Sequence, residues 1–404
     1  MPSAQLPFRF YVLILFGLVL LVPFANTVHA IEYHKQAITV GGRTHEITIP
    51  GGFRLELLTA RLDAPRLMSF AKNGDLFIGS RSGKVYRLTP PYTKPQVLLE
   101  LADYPHSVAL RKGEILIART NGLYRAPYRL GQTIINPDQV TLLAALPGGW
   151  GHNSRTVHIG PDHRVYVSLG ISSNCSNQYL DPSYRFADRR GGVLVLVEGR
   201  GKPVFKTFAS GLRNPVGFAW HPLTRIMYAS NNGPDHLGYD IPPEYFSRLT
   251  EGSFHGMPWF QYNGKKIIRD HCIHQKPPRP VNQVVVPVAT FPARSAPMGM
   301  IFVPRGALNN RYTNDAIVAL HGSWGTKPTG GSSGHPATRR HPKLVRVRFH
   351  QGKARGVEDF ITGFQLANGR RWARPIGVAI GPDGALYFTS DAGANALFRL
   401  RRVK

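Results

Sequence analysis

One short polar segment of the sequence carries residue types suited to proton transfer and anion binding. It runs from Gly151 to Arg155 and contains the imidazole of His152 and the guanidinium of Arg155. An imidazole titrates near neutral pH and can take a proton from a substrate, and a guanidinium pairs with a carboxylate through two hydrogen bonds. The segment therefore predicts a site with His152 as a general base. The alternative is a histidine that only stabilises the fold through hydrogen bonds.

The residues after this segment predict the element that positions it. Val157 and Ile159 alternate with polar residues, a Gly-Pro-Asp turn follows at 160–162, and a second apolar run covers 165–167. Alternation of this kind on both sides of a turn is typical of a β-hairpin. The polar segment then lies where the first strand of the hairpin begins.

The same hairpin pattern recurs along the chain. Its copies begin at Pro65, Pro105, Trp150, Asn214, Ala296 and Arg374. Six copies over residues 31–404 leave about 62 residues per repeat, enough for four strands each. We therefore predict a single all-β domain over 31–404, a six-bladed β-propeller of four-stranded antiparallel blades. The alternative is a β-sandwich with fortuitous turn spacing.

Ring geometry would bring two sets of polar residues together. In a propeller the innermost strand of each blade starts on one face, and the loop after the second strand returns to that face. The strand starts carry Arg66, His106, His152, Arg155, Arg213, Asn214, Arg294 and Arg374. The second-strand ends carry Arg81, Arg119, residues 172–174, residues 232–235, His321 and Asp391. A funnel this rich in Arg and His predicts a small ligand with several carboxylates or carbonyls, unless each arginine merely caps a carbonyl or covers a blade edge.

The N-terminus predicts export. An apolar run from Phe10 to Ala25 is preceded by Arg9 and followed by a small-x-small pattern at 28–30. These features indicate a secretory signal peptide over residues 1–30 and a periplasmic or secreted protein, with an uncleaved membrane anchor as the alternative.

Charge and cysteine content narrow the partners. The formal net charge is +27, a field that attracts anionic membrane surfaces, acidic proteins or nucleic acid. For an exported chain we expect no nucleic-acid partner and leave association with a membrane surface open. Cys175 and Cys272 are the two cysteines, and an oxidising compartment would permit a disulfide between them. The oligomeric state is not indicated.

Several runs carry a family resemblance. They include HNSRTVHIGPDHRVYVSLG at 152–170, SGLRNPVGFAWHP at 210–222, RSAPMGM at 294–300 and ARPIGVAIGPDGALYF at 373–388. In this order, from about residue 50 to 400, the chain resembles the sorbosone/glucose dehydrogenase family of quinoprotein propellers. The resemblance implies pyrroloquinoline quinone (PQQ) on the ring axis, with calcium polarising its carbonyl oxygen.

The resemblance also implies roles for individual residues around the cofactor. His152 falls at the position of the general base, which takes the proton of a sugar hydroxyl. Arg213 and Asn214 match residues that hold PQQ, and Arg374 matches an arginine facing its carboxylates. Gly151 departs from the pattern, because glucose-type members carry an acid there that could orient the base.

A second group of residues is implied to bind metal or to face the cofactor. Gly233 and Pro234 match positions whose main-chain carbonyls ligate calcium, a hard cation that prefers oxygen ligands. Asp235 or Asp240 could serve a second, structural calcium. His106 and His321 lie at cofactor-facing ring positions without an identical match.

The predicted function is a PQQ- and calcium-dependent dehydrogenase that oxidises an aldose or sugar aldehyde. The chain lacks the CxxCH signature of a covalent haem, so electrons would pass to an external acceptor such as a cytochrome or a quinone. Two alternatives remain: a non-catalytic propeller that binds sugar or protein, and a calcium-dependent hydrolase of the lactonase type.

Overall fold

A computed structural model of the chain describes residue 1, residues 31–323 and residues 339–403. The predicted signal peptide lies, apart from Met1, outside these residues, so export stays a prediction. The described residues from Tyr33 onward form one compact unit. In the part of the chain that is described, no helix has the length and apolar character needed to span a membrane.

The described chain starts with a hairpin and the first two complete blades. The hairpin consists of β1 (Tyr33–Val40) and β2 (Arg43–Pro50), and β3 (Phe53–Thr59) follows it. The first blade contains β4 (Pro65–Phe70), β5 (Leu76–Ser80), β6 (Lys84–Leu88) and β7 (Gln96–Glu100). The second contains β8 (Ser107–Arg111), β9 (Glu114–Arg119), β10 (Gly122–Pro127) and β11 (Thr141–Ala145).

The third and fourth blades carry the longer insertions. The third contains β12 (Arg155–Ile159), β13 (Val165–Leu169), β14 (Gly192–Val197) and β15 (Val204–Ser210). The fourth begins with β16 (Gly217–Trp220), β17 (Met227–Asn231) and β18 (Glu244–Leu249). An insertion then supplies β19 (Ser253–Phe254), β20 (Phe260–Tyr262) and β21 (Ile267–Arg269), before β22 (Ala289–Phe291) completes the fourth blade. Strand β19 pairs in parallel with β15, so the insertion extends the third blade.

The last two blades close the ring. The fifth contains β23 (Pro297–Phe302), β24 (Ala316–Leu320), β25 (Lys343–His350) and β26 (Lys353–Ile361). The sixth contains β27 (Pro375–Ile380), β28 (Leu386–Ala392) and β29 (Ala394–Arg402), and its outermost strand is β3. Strand β3 precedes the first blade in the chain and pairs with β29, the last strand. The two ends of the propeller therefore share one sheet, which holds the ring together.

The predicted six-bladed propeller is therefore confirmed. Each blade is an antiparallel four-stranded sheet, with the parallel β19 added to the third. Helical structure among the described residues is limited to four 3-10 turns: Pro137–Gln139, Phe186–Asp188, Val281–Gln283 and Asn310–Tyr312.

Glycine, aspartate and tyrosine shape the hairpin that repeats in the third and sixth blades. The hydroxyl of Tyr166 donates to Asp162 Oδ2 at 2.7 Å, and that of Tyr387 donates to Asp383 Oδ2 at 2.9 Å. A Cβ atom at Gly381 would lie 2.4 Å from the Tyr387 ring, so only glycine fits at this turn. The repeated Asp and Tyr residues of the sequence thus make the same side-chain contact in both blades.

Apolar side chains from the inner strands fill the ring axis below the functional face. Leu67, Val216, Met298 and Ile376 form one buried cluster with contributions from four blades. Neighbouring blades approach closely here, since a Cβ atom at Gly299 would lie 2.6 Å from the carbonyl oxygen of Ile376. We call this cluster the apolar plug.

Candidate active site

The funnel is a cavity of about 590 Å³ at the ring axis. Met298 from the apolar plug contributes to its wall. Twelve of the ring positions named from the sequence line it: Arg66, Arg81, His152, Arg213, Asn214, Asn232, Gly233, Asp235, Arg294, His321, Arg374 and Asp391. The predicted convergence holds for these twelve positions, whereas the lining does not include His106, Arg119, Arg155, Pro234 or residues 172–174.

The funnel wall carries more positive than negative charge. Five arginines and three carboxylates line it, and two of the carboxylates are already paired with arginine. Arg66 Nη1 lies 2.5 Å from Asp391 Oδ2, and Arg294 Nη1 lies 3.0 Å from Asp235 Oδ1. A surplus of buried guanidinium groups in a concave site favours an anionic ligand.

His152 is held as a neutral base at the wall. Its Nδ1 donates to the carbonyl oxygen of Ile171 at 2.5 Å, so Nε2 keeps its lone pair. Burial, together with the charge of Arg213, lowers the pKa of His152 to about 3. The imidazole is therefore unprotonated at neutral pH and able to accept a proton.

Two buried arginines fix the loop that presents His152. Arg155 Nη1 and Arg190 Nη2 both donate to the carbonyl oxygen of His152, at 3.0 and 2.9 Å. Arg155 also donates to Pro147, and Arg190 donates to Gly170, Gly148 and Trp150. Arg155, which the sequence placed in the funnel, thus has a structural role. Arg190 is a positioning residue that sequence reasoning missed, since nothing local distinguishes it from the other arginines.

Two glycines let the imidazole approach its neighbours. A Cβ atom at Gly151 would lie 1.9 Å from the carbonyl oxygen of Ser172, so this position excludes any side chain. The acid that glucose-type members carry at this position therefore has no room here, and the Ile171 carbonyl oxygen orients His152 instead. A Cβ atom at Gly170 would lie 2.5 Å from Asn214 Oδ1 and 2.6 Å from His152 Cβ, so Gly170 brings these two side chains together.

Arg213 and Asn214 line the funnel at the start of the fourth blade. Arg213 Nη2 donates to Asn174 Oδ1 at 2.6 Å and lies 4.0 Å from Asp235 Oδ2. The Nε atom of Arg213 is buried and has no hydrogen-bond partner in the described chain. One donor of this guanidinium is therefore left for a ligand.

The disulfide that the sequence left open is present and lies next to this contact. Cys175 and Cys272 are bonded, with their Cα atoms 5.6 Å apart. Cys175 directly follows Asn174, whose Oδ1 also accepts the backbone N–H of Asp235 at 3.1 Å. The disulfide thus anchors a segment that contacts two residues of the funnel wall.

Arg374, His321 and Asp391, which belong to the fifth and sixth blades, form a hydrogen-bonded group. His321 Nε2 lies 2.6 Å from Asp391 Oδ1, and Arg374 Nε donates to the His321 carbonyl oxygen at 3.0 Å. Burial lowers the pKa of His321 to about 4 despite the nearby carboxylate. Burial alone would raise the pKa of Asp391, yet His321 and Arg66 hold it well below its usual range. Asp391 is therefore ionised and orients the guanidinium group of Arg66 and the imidazole of His321.

His106 lies beneath the funnel wall. It is fully buried, and its Nδ1 lies 2.9 Å from the carbonyl oxygen of Arg155. The ring of Tyr104 packs edge-on against it at 5.4 Å and itself lines the cavity. The surface that a ligand meets at this blade is therefore Tyr104, a residue that the repeat pattern did not reveal because it precedes the strand start.

The four residues predicted to bind metal do not all lie at the funnel wall. Gly233 and Asp235 line the funnel, Pro234 is buried beside them, and Asp240 is exposed and paired with Arg340 at 2.7 Å. Asp235 is bonded to Arg294, so each carboxylate faces an arginine.

A buried carboxylate that sequence reasoning missed lies next to these positions. Glu244 lines the funnel and accepts the backbone N–H of Gly233 and, at 3.3 Å, that of Ala296. Burial raises the pKa of Glu244 to about 7. The only sequence signal is an acid that opens the buried strand β18.

The fold and the site define a class: a six-bladed β-propeller with a cationic funnel on its axis and a histidine in the funnel wall. The chain belongs to the TrAA12-like family, whose model matches residues 47–242 and 279–402.

Three similar proteins illustrate the relationship. An uncharacterised protein of Borreliella burgdorferi is 25% identical over 371 residues, which are 88% of this chain and 91% of the relative. The iodide structure of the Trichoderma reesei carbohydrate-active enzyme of family AA12 is 19% identical, with a TM-score of 0.72 over 88% of this chain and 97% of that one. The holo form of the pyranose dehydrogenase PQQ domain from Coprinopsis cinerea is 19% identical, with a TM-score of 0.68 over 89% and 97%.

Proposed function

We propose that this protein is a PQQ- and calcium-dependent dehydrogenase that oxidises an aldose or a sugar aldehyde. The observation that carries the proposal is the neutral imidazole of His152 in the wall of a funnel lined by five arginines. Family membership and the pyranose dehydrogenase PQQ domain among the similar structures support it. PQQ, when bound, would supply the quinone that accepts a hydride from the sugar. Electrons would leave to an external acceptor, a cytochrome or a quinone.

The residues present fit a small polycarboxylate such as PQQ. Two of the lining arginines, Arg66 and Arg213, have buried Nε atoms with no hydrogen-bond partner among the described residues. Arg374 holds the opposite wall through the carbonyl oxygens of His321 and Gly322. Carboxylates on the ligand would pair with these guanidinium groups, and Asn214 would add an amide.

The calcium proposal depends on the segment around Gly233. The peptide N–H of Gly233 donates to Glu244, which orients the chain at the funnel wall. The carbonyl oxygens of Gly233 and Pro234 would be the metal ligands, and oxygen donors of this type suit calcium. Asp235 and Asp240 would serve a second calcium only if they exchanged their arginine partners for the ion.

His152 would perform the proton transfer. Its Nδ1 proton is committed to Ile171, so Nε2 would take the proton from the sugar hydroxyl. The charge of Arg213 lowers the pKa of the His152 imidazole. An anionic ligand that pairs with Arg213 would weaken this effect and raise the pKa of His152 toward its ordinary value.

Reconstitution tests the proposal. Purified protein is incubated with PQQ and calcium, and reduction of an artificial dye is followed with a panel of aldoses. We expect dye reduction that falls by about 10²–10⁴-fold in His152→Ala, with PQQ binding retained, because a general base contributes rate and not cofactor affinity. The exposed His350→Ala serves as the matched control and should keep full activity.

The same preparation separates the alternatives. Hydrolysis of lactones without cofactor would contradict the proposal in favour of a hydrolase. A protein whose absorption spectrum and activity do not respond to PQQ would indicate a propeller that only binds its ligand.

A further inference from the structure

A second cavity adjoins the funnel. We call it the side cavity; its volume, about 590 Å³, equals that of the funnel. Its wall includes Arg43, His45, Arg370, Arg371, Trp372 and Asn395.

The two cavities share their dividing wall. Three chain segments pass from the funnel lining to the side-cavity lining within two residues: Ala64 and Leu62, Arg374 and Trp372, and Ala392 and Gly393. In addition, Arg371 of the side cavity donates to the carbonyl oxygen of Ser323, which lines the funnel. The side cavity therefore lies next to the funnel.

The side cavity is cationic and has no internal counter-charge. Arg43, Arg370 and Arg371 line it, and none of the described lining residues is Asp or Glu. The guanidinium groups of Arg43 and Arg370 make no ion pair with the described carboxylates, and burial together with the charge of Arg374 lowers the pKa of Arg371 to about 9. Three arginines around one cavity, with no acid among its described lining residues, favour binding of a carboxylate.

The remaining lining suits a sugar ring rather than a bare ion. The rings of His45 and Trp372 are stacked at 4.7 Å with an angle of 5° between their planes. Trp372 is buried and also packs against Phe364 and Phe398, so the outer face of the partly exposed His45 ring is the flat surface that would pack against the C–H face of a pyranose. Asn395 contributes an amide whose Oδ1 has no hydrogen-bond partner in the described chain, and a small shift of this side chain would let it accept a sugar hydroxyl.

We propose that the side cavity binds a carboxylate-bearing sugar unit of the substrate, whose reducing end lies in the funnel. The substrate class would then be acidic oligosaccharides with a uronate next to the reducing unit. This inference depends on the function proposed for the funnel, and it adds a recognition site that the reaction itself does not require.

The test compares two reducing disaccharides that differ only in charge, glucuronosyl-glucose and the matched neutral glucosyl-glucose. With the full chain loaded with PQQ and calcium, we expect a KM at least tenfold lower for the acidic disaccharide and similar kcat values. The double variant Arg43→Gln/Arg370→Gln should abolish the difference and leave the KM for glucose unchanged. The exposed Arg54→Gln is the matched control and should retain the preference.

Calorimetric titration of the same disaccharides into protein without cofactor separates the two proposals. Selective binding of glucuronosyl-glucose, lost in the double variant, supports the side cavity even if no aldose is oxidised. Oxidation of glucose with equal KM values for both disaccharides would overturn the inference and leave the proposed function intact. The inference would also be overturned if the wild type and Arg43→Gln/Arg370→Gln had equal KM values for glucuronosyl-glucose at every ionic strength.

Discussion

Asn174 Oδ1 accepts a hydrogen bond from Arg213 Nη2 at 2.6 Å and a second one from the backbone N–H of Asp235 at 3.1 Å. One amide oxygen thus joins the third-blade loop to two residues of the funnel wall in the fourth blade. Because Arg213 is buried, its orientation depends on this contact and on the more distant Asp235 carboxylate.

Replacement of Asn174 by Ala should weaken PQQ binding. Loss of a hydrogen bond to a charged group costs about 1.5–3 kcal/mol, which corresponds to roughly a 10–150-fold rise in Kd if the arginine loses its binding geometry. Equilibrium titration with PQQ measures the change. Asn177→Ala is the control, since the Asn177 side chain accepts from Tyr184 in the same loop and touches no lining residue. Equal Kd values for the two variants would show that Asn174 does not position Arg213.

Removal of the disulfide should destabilise the propeller. The bond closes a loop of 97 residues between Cys175 and Cys272. Since long loops lose the most entropy on closure, the double variant Cys175→Ser/Cys272→Ser should lose about 2–5 kcal/mol of unfolding free energy. Urea denaturation with and without a reducing agent measures it. The reducing agent should affect the wild type alone, and an equal response of both proteins would contradict the prediction.

Gly170→Ala should displace the base from its position. The added methyl group would overlap His152 Cβ and Asn214 Oδ1, and His152 Cβ can move only together with its main chain. We expect a loss of about 1–3 kcal/mol in stability from overpacking, together with a lower kcat. Gly199→Ala is the control, because a Cβ atom there meets no atom within 4 Å. Thermal unfolding and dye reduction measured on both variants separate strain from a general glycine effect.

Acid should destabilise the protein through its buried neutral histidines. Burial lowers the pKa of His255 to about 3, below the value of about 6.5 for an exposed imidazole. The unfolded chain therefore binds a proton that the folded chain does not, so stability is complete above pH 6.5 and is lost as the pH falls toward 3. The slope for this one group is about 1.4 kcal/mol per pH unit.

The variant His255→Gln isolates this contribution. Its free energy of unfolding, measured by urea denaturation from pH 7 to pH 4, should fall less steeply than that of the wild type by the slope of one proton. The exposed His34→Gln is the control and should keep the wild-type slope. A wild-type slope in both variants would show that His255 is charged in the folded protein.

The fold could be predicted from sequence because its signals are local. The turns and alternating strands of the hairpins, and the Asp–Tyr contact of the third- and sixth-blade hairpins, lie within about ten residues, and the repetition of the hairpin indicates a ring. The same repetition located most of the arginines that line the funnel. The closure by β3 escaped, because that strand has no hairpin partner next to it in the chain, and so did the hairpin of β1 and β2 and the parallel strand β19.

What only the tertiary structure decided is which polar residues share a surface. Tyr104 and Glu244 line the funnel, whereas His106 lies behind Tyr104 and Asp240 faces outward. Arg155 and Arg213 lie at similar strand starts. Arg155 donates its hydrogen bonds to carbonyl oxygens, whereas Arg213 lines the funnel. These differences depend on contacts between residues far apart in the chain, so no local pattern encodes them. The sequence therefore determined the ring and its basic character, and the packing of blade against blade determined the site.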